Sequence, residues 1–302
     1  MKVPKKFEDR YRDLSGDFDA FIESLSKFPS KSFRVNTIKA SRDKVVRAFK
    51  EHKIEIHGLE WYEDAFTTEP KASLTIEHFL GQIYFQDLSS IIPPLLARSE
   101  LSQAQRVLDM SAAPGSKTTQ IAALMGNQGL LVANDIDYSR TKALKFNIEK
   151  SGALNTVITN FDARHIPNEK FDVIFADVPC SLEGTIQKNY KVLRSWSEKK
   201  IHRFSRLQRG IVEKGFELLV PGGVMIYSTC TFAPEENEEI INWLIEKHGC
   251  TIEKAEISGL DASSGITSWN GIEFSSELKK TLRIWPHKNN NMGGFFAAKV
   301  RK

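Results

Sequence analysis

Apolar positions recur along this chain with two different periods. Through residues 1 to about 30, Phe7, Tyr11, Leu14, Phe18, Phe21, Ile22 and Leu25 stand at loosely helical intervals in a charged background, which predicts a leader helix or a pair of them. Shorter apolar runs follow and predict strands over 33–38, 54–56 and 65–68. Between the first two, Ser41 is suited to cap the free amides of a helix that ends near residue 52. That is a small α+β unit. Pro70, Gly81, Pro93 and Pro94 punctuate the passage to a strand over 82–85 and a helix over 88–98. A boundary is therefore expected near residue 80, dividing the chain into 1–80 and 81–302.

Beyond residue 106 the rhythm becomes regular. Val107 and Leu108 make a short strand ending in Asp109, and a loop of small residues opens a helix over about 117–125. Strand-like runs at 130–134, 156–159, 171–176 and 223–228 alternate with helical patterns at 139–151, 198–219 and 234–248. Such alternation predicts an α/β fold: a parallel sheet with helices on both faces, and ligands at the carboxyl ends of the strands. Asp109, Asp135, Asp162, Asp177 and Cys230, just past those ends, become the residues to weigh.

Composition narrows the class. With 302 residues and 41% hydrophobic content, the chain can bury a substantial core. The charged stretch at 1–12 and the lack of a long apolar run predict a cytoplasmic protein with no membrane span. Three cysteines, Cys180, Cys230 and Cys250, form no C-x-x-C pair, so free thiols and no bound metal are expected. The net charge is only +4. Yet between residues 181 and 210, Lys188, Lys191, Arg194, Lys199, Lys200, Arg203, Arg206 and Arg209 face only Glu183 and Glu198. Such a patch suits phosphate groups, and Tyr190 and Trp196 within it could stack on bases or serve the core.

The loop Ser111, Ala112, Ala113, Pro114, Gly115, Ser116, Lys117 has a backbone that a ligand can approach closely, at a helix N-terminus that favours a negative group. A phosphate-cradling loop would need glycines where Ser111 and Ser116 stand. The G-x-G-x-x-G dinucleotide fingerprint is also missing. A bare strand-to-helix turn remains open for this loop taken alone. Asp135, twenty positions after Gly115, is placed to accept from a ribose, with Asp137 as the competing helix cap. Asp162 could orient an adenine amino group, and Arg140 is grouped with these contacts. Asp177 ends the central strand directly before Val178, Pro179 and Cys180.

The segments 109–118, 133–135, 177–181 and 227–231, with Pro234-Glu-Glu-Asn237, resemble the Nol/Nop/Sun (RsmB/Sun-like) family of RNA cytosine-5 methyltransferases. The likeness extends from 33–37 through 81–87 to 294–297. It implies a class I methyltransferase (Rossmann-like) sheet, a smaller N-terminal α+β domain like an RNA-recognition domain, and S-adenosylmethionine as cofactor. The family pattern makes Cys230 the nucleophile that adds to C6 of cytosine, Asp177 the group that offsets charge at N3, and Cys180 a participant in product release. Ser111, Ser116, Val178 and Leu182 depart from residues common in the family. Of these, Leu182 stands nearest the target pocket.

DNA cytosine methyltransferases would make Cys180 the attacking thiol, but their accompanying motifs are not evident here, whereas the second cysteine is. Enzymes of the Asp/Asn-Pro-Pro-aromatic type are excluded because Asp177 is followed by Val178, Pro179, Cys180 and Ser181, with no second proline and no aromatic. In the N-terminal unit Arg34, Lys39, Arg42, Lys44 and Arg47 are expected to add a second basic surface for RNA. The partner expected is an RNA with its target cytidine unpaired or flipped out, tRNA ahead of rRNA, bound by a monomer. A non-catalytic RNA-binding assembly factor is the competing class.

Overall fold

The computed structural model describes residues 3–289 and 291–302. Two short helices, Lys5–Tyr11 and Phe18–Ser24, lead the chain, the second capped by Asp17, which accepts from the Ala20 amide. Four strands then form a small antiparallel sheet: β1 (Lys31–Val35), β2 (Ile56–Leu59), β3 (Tyr62–Thr68) and β4 (Ile83–Phe85), in the order β2-β3-β1-β4. Helix Arg42–Glu51, capped by Ser41, lays Val45 and Phe49 on this sheet against Phe33 and Phe66. β1 stops at Val35, short of the expected 38. There Asn36 turns the chain, its side-chain amide donating to the carbonyls of Gly81 and Ser151. The second strand runs later than expected, over Ile56–Leu59.

The large sheet contains β5 (Arg106–Asp109), β6 (Leu130–Asn134), β7 (Thr156–Thr159), β8 (Phe171–Asp177) and β9 (Leu219–Thr229), all parallel, in the order β7-β6-β5-β8-β9. Alternate residues of its central strands face opposite ways, as the two-residue period of a strand requires. Val107, Val173 and Phe175 pack under helices Ser116–Leu124 and Tyr138–Ser151. Leu108, Ile174 and Ala176 pack under Glu198–Leu218 and Glu238–His248.

The pattern reading ended at the helix over 234–248, whose first residues form a short 3-10 turn before Glu238. It did not predict the antiparallel strand Phe295–Arg301 beside β9, nor Leu282–Ile284 beyond it. Two further placements differ from expectation. β4, assigned by pattern to the second part, pairs with β1 and completes the small sheet, so the sheet itself continues across residue 80. The leader helices leave the small sheet and bury Phe7, Tyr11, Phe21 and Leu25 against Ile186, Val192, Leu193, Phe232 and Trp285. No helix among the described residues is long and apolar enough to cross a membrane.

Candidate active site

The carboxyl ends of the parallel strands open into one cavity of about 780 Å³, a size ordinary for a cofactor and a substrate group. Ser111, Ala113, Lys117, Asp135, Arg140 and Asp162 line it. Asp177, Cys180 and Cys230 line it as well. Ala112, Pro114, Gly115 and Ser116 do not face this cavity; they shape the turn behind it. Gly115 takes φ +107°, and a Cβ there would stand 3.0 Å from the Leu144 side chain, so glycine is what lets the turn close on the neighbouring helix.

Asp137 and Asp135 divide the two tasks open to them. Asp137 caps helix Tyr138–Ser151 by accepting from the amides of Ser139 and Arg140. Asp135 is buried and accepts from the amides of Ala113 (3.1 Å) and Asp137 (2.9 Å), with the Arg140 guanidinium 3.6 Å away. Those contacts leave carboxylate lone pairs free for ribose hydroxyls. Ile136, beside it, is 65% exposed and offers the cavity an apolar face that sequence reasoning passed over. Asp162 is held by the Arg164 side chain and amide, and that hydrogen bonding lowers its carboxyl to about 2. It therefore remains an acceptor, as an adenine amino group needs. These residues fit S-adenosylmethionine.

Asp177 accepts from Ser228 Oγ at 2.7 Å and pairs with Lys117 Nζ at 2.8 Å. Lys117 also donates to Ser90 Oγ at 2.9 Å. Burial works against its ammonium, but Asp177, Asp109 and Cys230 outweigh burial and raise the lysine above its ordinary range. Asp109 lies behind the cavity. Burial raises it to about 6, with Thr118 and Asp177 as the next influences.

The Sγ atoms of Cys180 and Cys230 are 3.2 Å apart. Cys180 is raised well above the usual thiol range by its hydrogen bond with Cys230 and then by burial. Cys250 is buried in the core under helices Glu198–Leu218 and Glu238–His248, away from both.

Several buried polar groups hold the two cysteine loops together. Ser181 Oγ meets Thr231 Oγ1 at 2.6 Å, and the Gly184 amide donates to the Cys230 carbonyl at 2.9 Å. Asn237 donates to the Thr231 carbonyl at 3.0 Å. Glu236 Oε2 accepts from the Ser181 amide (3.0 Å) and from Gln208 (2.8 Å), which also donates to the Pro179 carbonyl. Glu183 accepts from Thr231, the Phe232 amide and Tyr11, tying the leader helix to the active loops. In the sequence Glu183 counts only as one acidic residue of the basic segment, and nothing local marks it as buried.

The structure corrects one assignment made from sequence, decides one alternative that the sequence leaves open and qualifies a third reading. Arg34 is not a surface cation. It is 1% exposed and bonds Gln86 (2.8 Å), Thr119 (2.6 Å) and the Ser116 carbonyl (3.3 Å), joining the small sheet to the cofactor-loop helix. Trp196 is no stacking platform, because its indole N–H donates to Glu183 and its ring packs edge-on against Phe7. The basic segment is partly neutralised, Lys188 by Asp87 and Arg209 by Glu239. Lys191, Arg194, Lys199, Arg203 and Arg206 remain exposed. Among the described residues no cluster of three or more His, Cys, Asp or Glu could hold a metal ion.

Residues 97–301 match the family model described as 16S rRNA methyltransferase RsmB/F, and residues 3–88 match the N-terminal domain of 16S rRNA methyltransferase RsmF. The chain is 38% identical to a tRNA (cytosine(49)-C(5))-methyltransferase of Pyrococcus abyssi, covering 100% of this chain and 97% of that one. It is equally 38% identical to ribosomal RNA small subunit methyltransferase F of Vibrio vulnificus, covering 99% of this chain but only 64% of the relative. A crystal structure of a methyltransferase homologue from Pyrococcus horikoshii superposes with a TM-score of 0.87 at 34% identity, over 99% of this chain and 95% of that one. NSun6 from the same organism, solved with SFG, shares the fold at a TM-score of 0.85 and 24% identity, over 99% and 98% of the two chains. With a family match across more than half its length, a cavity suited to the methyl donor and two cysteines meeting beside it, this chain belongs to the RsmB/F family of S-adenosylmethionine-dependent RNA methyltransferases.

Proposed function

We propose that the chain methylates C5 of a cytidine in tRNA, with Cys230 as nucleophile. The observation that carries the reading is the pair of thiols 3.2 Å apart in a cavity that also holds the Lys117–Asp177 pair. Cytosine C5 is a poor nucleophile until a thiolate adds to C6 and makes the ring enamine-like. Cys230 forms that S–C6 bond. Electron density moves toward N3, where Asp177 with its Lys117 partner offsets the charge. Ser111, Ala113, Asp135, Arg140 and Asp162 would hold S-adenosylmethionine, which would supply an electrophilic methyl group on its sulfonium. Once C5 carries the methyl, solvent water takes the C5 proton, the C5–H electron pair forms the C5=C6 double bond, and the S–C6 bond breaks with its electrons going to the Cys230 sulfur as thiolate. Cys180, kept as a thiol, stands where it can return a proton to the departing Cys230 sulfur.

The preference for tRNA follows the tRNA (cytosine(49)-C(5))-methyltransferase of P. abyssi, with which 100% of this chain aligns at 38% identity; the ribosomal enzyme of V. vulnificus, at the same identity, makes ribosomal RNA the second reading. Incubation with labelled S-adenosylmethionine and separate pools of unmodified tRNA and ribosomal RNA, followed by nucleoside analysis, tests both parts. 5-Methylcytidine in tRNA alone is the expected result. The same product in ribosomal RNA alone would retain the chemistry and overturn the substrate. Label in neither pool would favour the assembly-factor reading.

A further inference from the structure

A second groove of about 610 Å³ lies beside the catalytic cavity, between the leader, the small sheet and the cofactor loop. The two share Asp87, Ser90 and Lys188, so a strand whose base enters one passes directly into the other. At the groove's edge Phe28 is 74% exposed. It is not a floppy terminus. Asn291 donates to the carbonyls of Lys27 (2.8 Å) and Phe28 (3.2 Å), and the buried Gln187 donates to the Ser24 carbonyl (3.1 Å) and to Asn291 Oδ1 (2.7 Å). Pro29 stiffens the next residue. The fold thus spends several hydrogen bonds on holding a large aromatic ring in water.

Tyr84 also lines the groove, its ring against the buried Arg34 guanidinium. Lys31 is exposed in the same wall, and Lys188 cancels the groove's one acidic residue, Asp87. A fixed aromatic face, a net positive charge and continuity with the target-base cavity are the features that single-stranded nucleic acid uses for binding.

We propose that this groove holds the nucleotide next to the target cytidine in the same RNA strand, its base stacked on Phe28 and its phosphate met by Lys31. The inference rests on the RNA-methyltransferase reading and extends it to a subsite. Its function is to pull the strand across the cavity mouth so that the target base is presented unpaired.

The test uses the full chain and short RNA oligonucleotides containing the target cytidine, each carrying an abasic site or 2-aminopurine on its 5′ or 3′ side. Phe28→Ala is expected to raise KM by roughly 5- to 150-fold, the loss of one stacked base, with kcat little changed, and Phe28→Trp to restore it. An abasic site on the occupied side should impair the wild type to a similar degree and cost Phe28→Ala nothing further. Additive losses, or a wild type indifferent to abasic sites on both sides, would overturn the proposal. The fluorescence readout does not need turnover: 2-aminopurine should be quenched on the wild type and not on Phe28→Ala. If no oligonucleotide is methylated but this quenching difference persists, the subsite stands and the catalytic reading fails. Equal fluorescence on both proteins overturns the subsite.

Discussion

Cys180 and Cys230 are fifty residues apart in sequence and 3.2 Å apart at sulfur. That is well beyond the ~2.0 Å of a disulfide and close enough to share a proton. The pair is asymmetric. Cys180 is buried and held as a thiol, whereas Cys230 is half-buried in the cavity wall near the Lys117 ammonium. The asymmetry suits the roles proposed above, in which the less buried thiol attacks and the buried one keeps its proton.

Replacing either sulfur should therefore fail differently. Cys230→Ala is expected to lose turnover entirely while still binding S-adenosylmethionine. Cys180→Ala should form the S–C6 bond but release product slowly, leaving an RNA-dependent covalent species on a denaturing gel. A Cys230→Ala enzyme with wild-type turnover would refute the assignment.

Lys117 pairs with Asp177 at 2.8 Å beside the thiols, and Met is a similarly long uncharged replacement. Lys117→Met should lower kcat by about 10²–10³, the usual cost of removing one donor aimed at developing charge. Cofactor affinity, measured by calorimetry, should change far less. A parallel loss of both would make Lys117 a cofactor contact instead.

Leu182 takes φ +70° at the cavity wall, a left-handed conformation that costs an L side chain about 1–2 kcal/mol. Glycine has no such cost there. Denaturant unfolding should consequently show Leu182→Gly to be more stable than Leu182→Ala by about 1 kcal/mol, the reverse of their order at an ordinary position. Both variants widen the cavity beside Cys180, so a shared change in KM for RNA would report the lost side chain.

Glu236 is buried under the Pro179–Ser181 segment, and burial raises its carboxyl to about 8, with Ser181 and Glu183 the next influences. Its Oε1 has no hydrogen-bond partner among the described residues. Between the ordinary carboxyl range and pH 8 the folded protein holds a proton that the unfolded chain has lost. Stability therefore falls as pH rises through that window, by at most about 1.4 kcal/mol per unit, and levels off above it. Glu236→Gln imitates the protonated form and should flatten the decline. If melting temperatures of wild type and variant follow the same curve from pH 5 to 8, Glu236 is ionised throughout.

Much of the framework is legible in local sequence because it depends on local physics. The strand of Val107 and Leu108, the helix caps Ser41 and Asp137, the alternation through β9 and the turn at Gly115 each depend on neighbours within a few residues. The cysteine motifs identified the chemistry by resemblance. What the sequence could not decide was contact between distant segments. Arg34 looked like a surface cation, yet burial and the Gln86 and Thr119 oxygens make it a joint. Strands 282–284 and 295–301 have no local signal, because the pairing of 295–301 onto β9 and of 282–284 onto 295–301 is a long-range contact with no period of its own. Phe28 carries no local mark that its backbone would be pinned by Asn291. Charge, exposure and orientation are set by what packs opposite a side chain, so residue types were readable from the chain and their roles only from the fold.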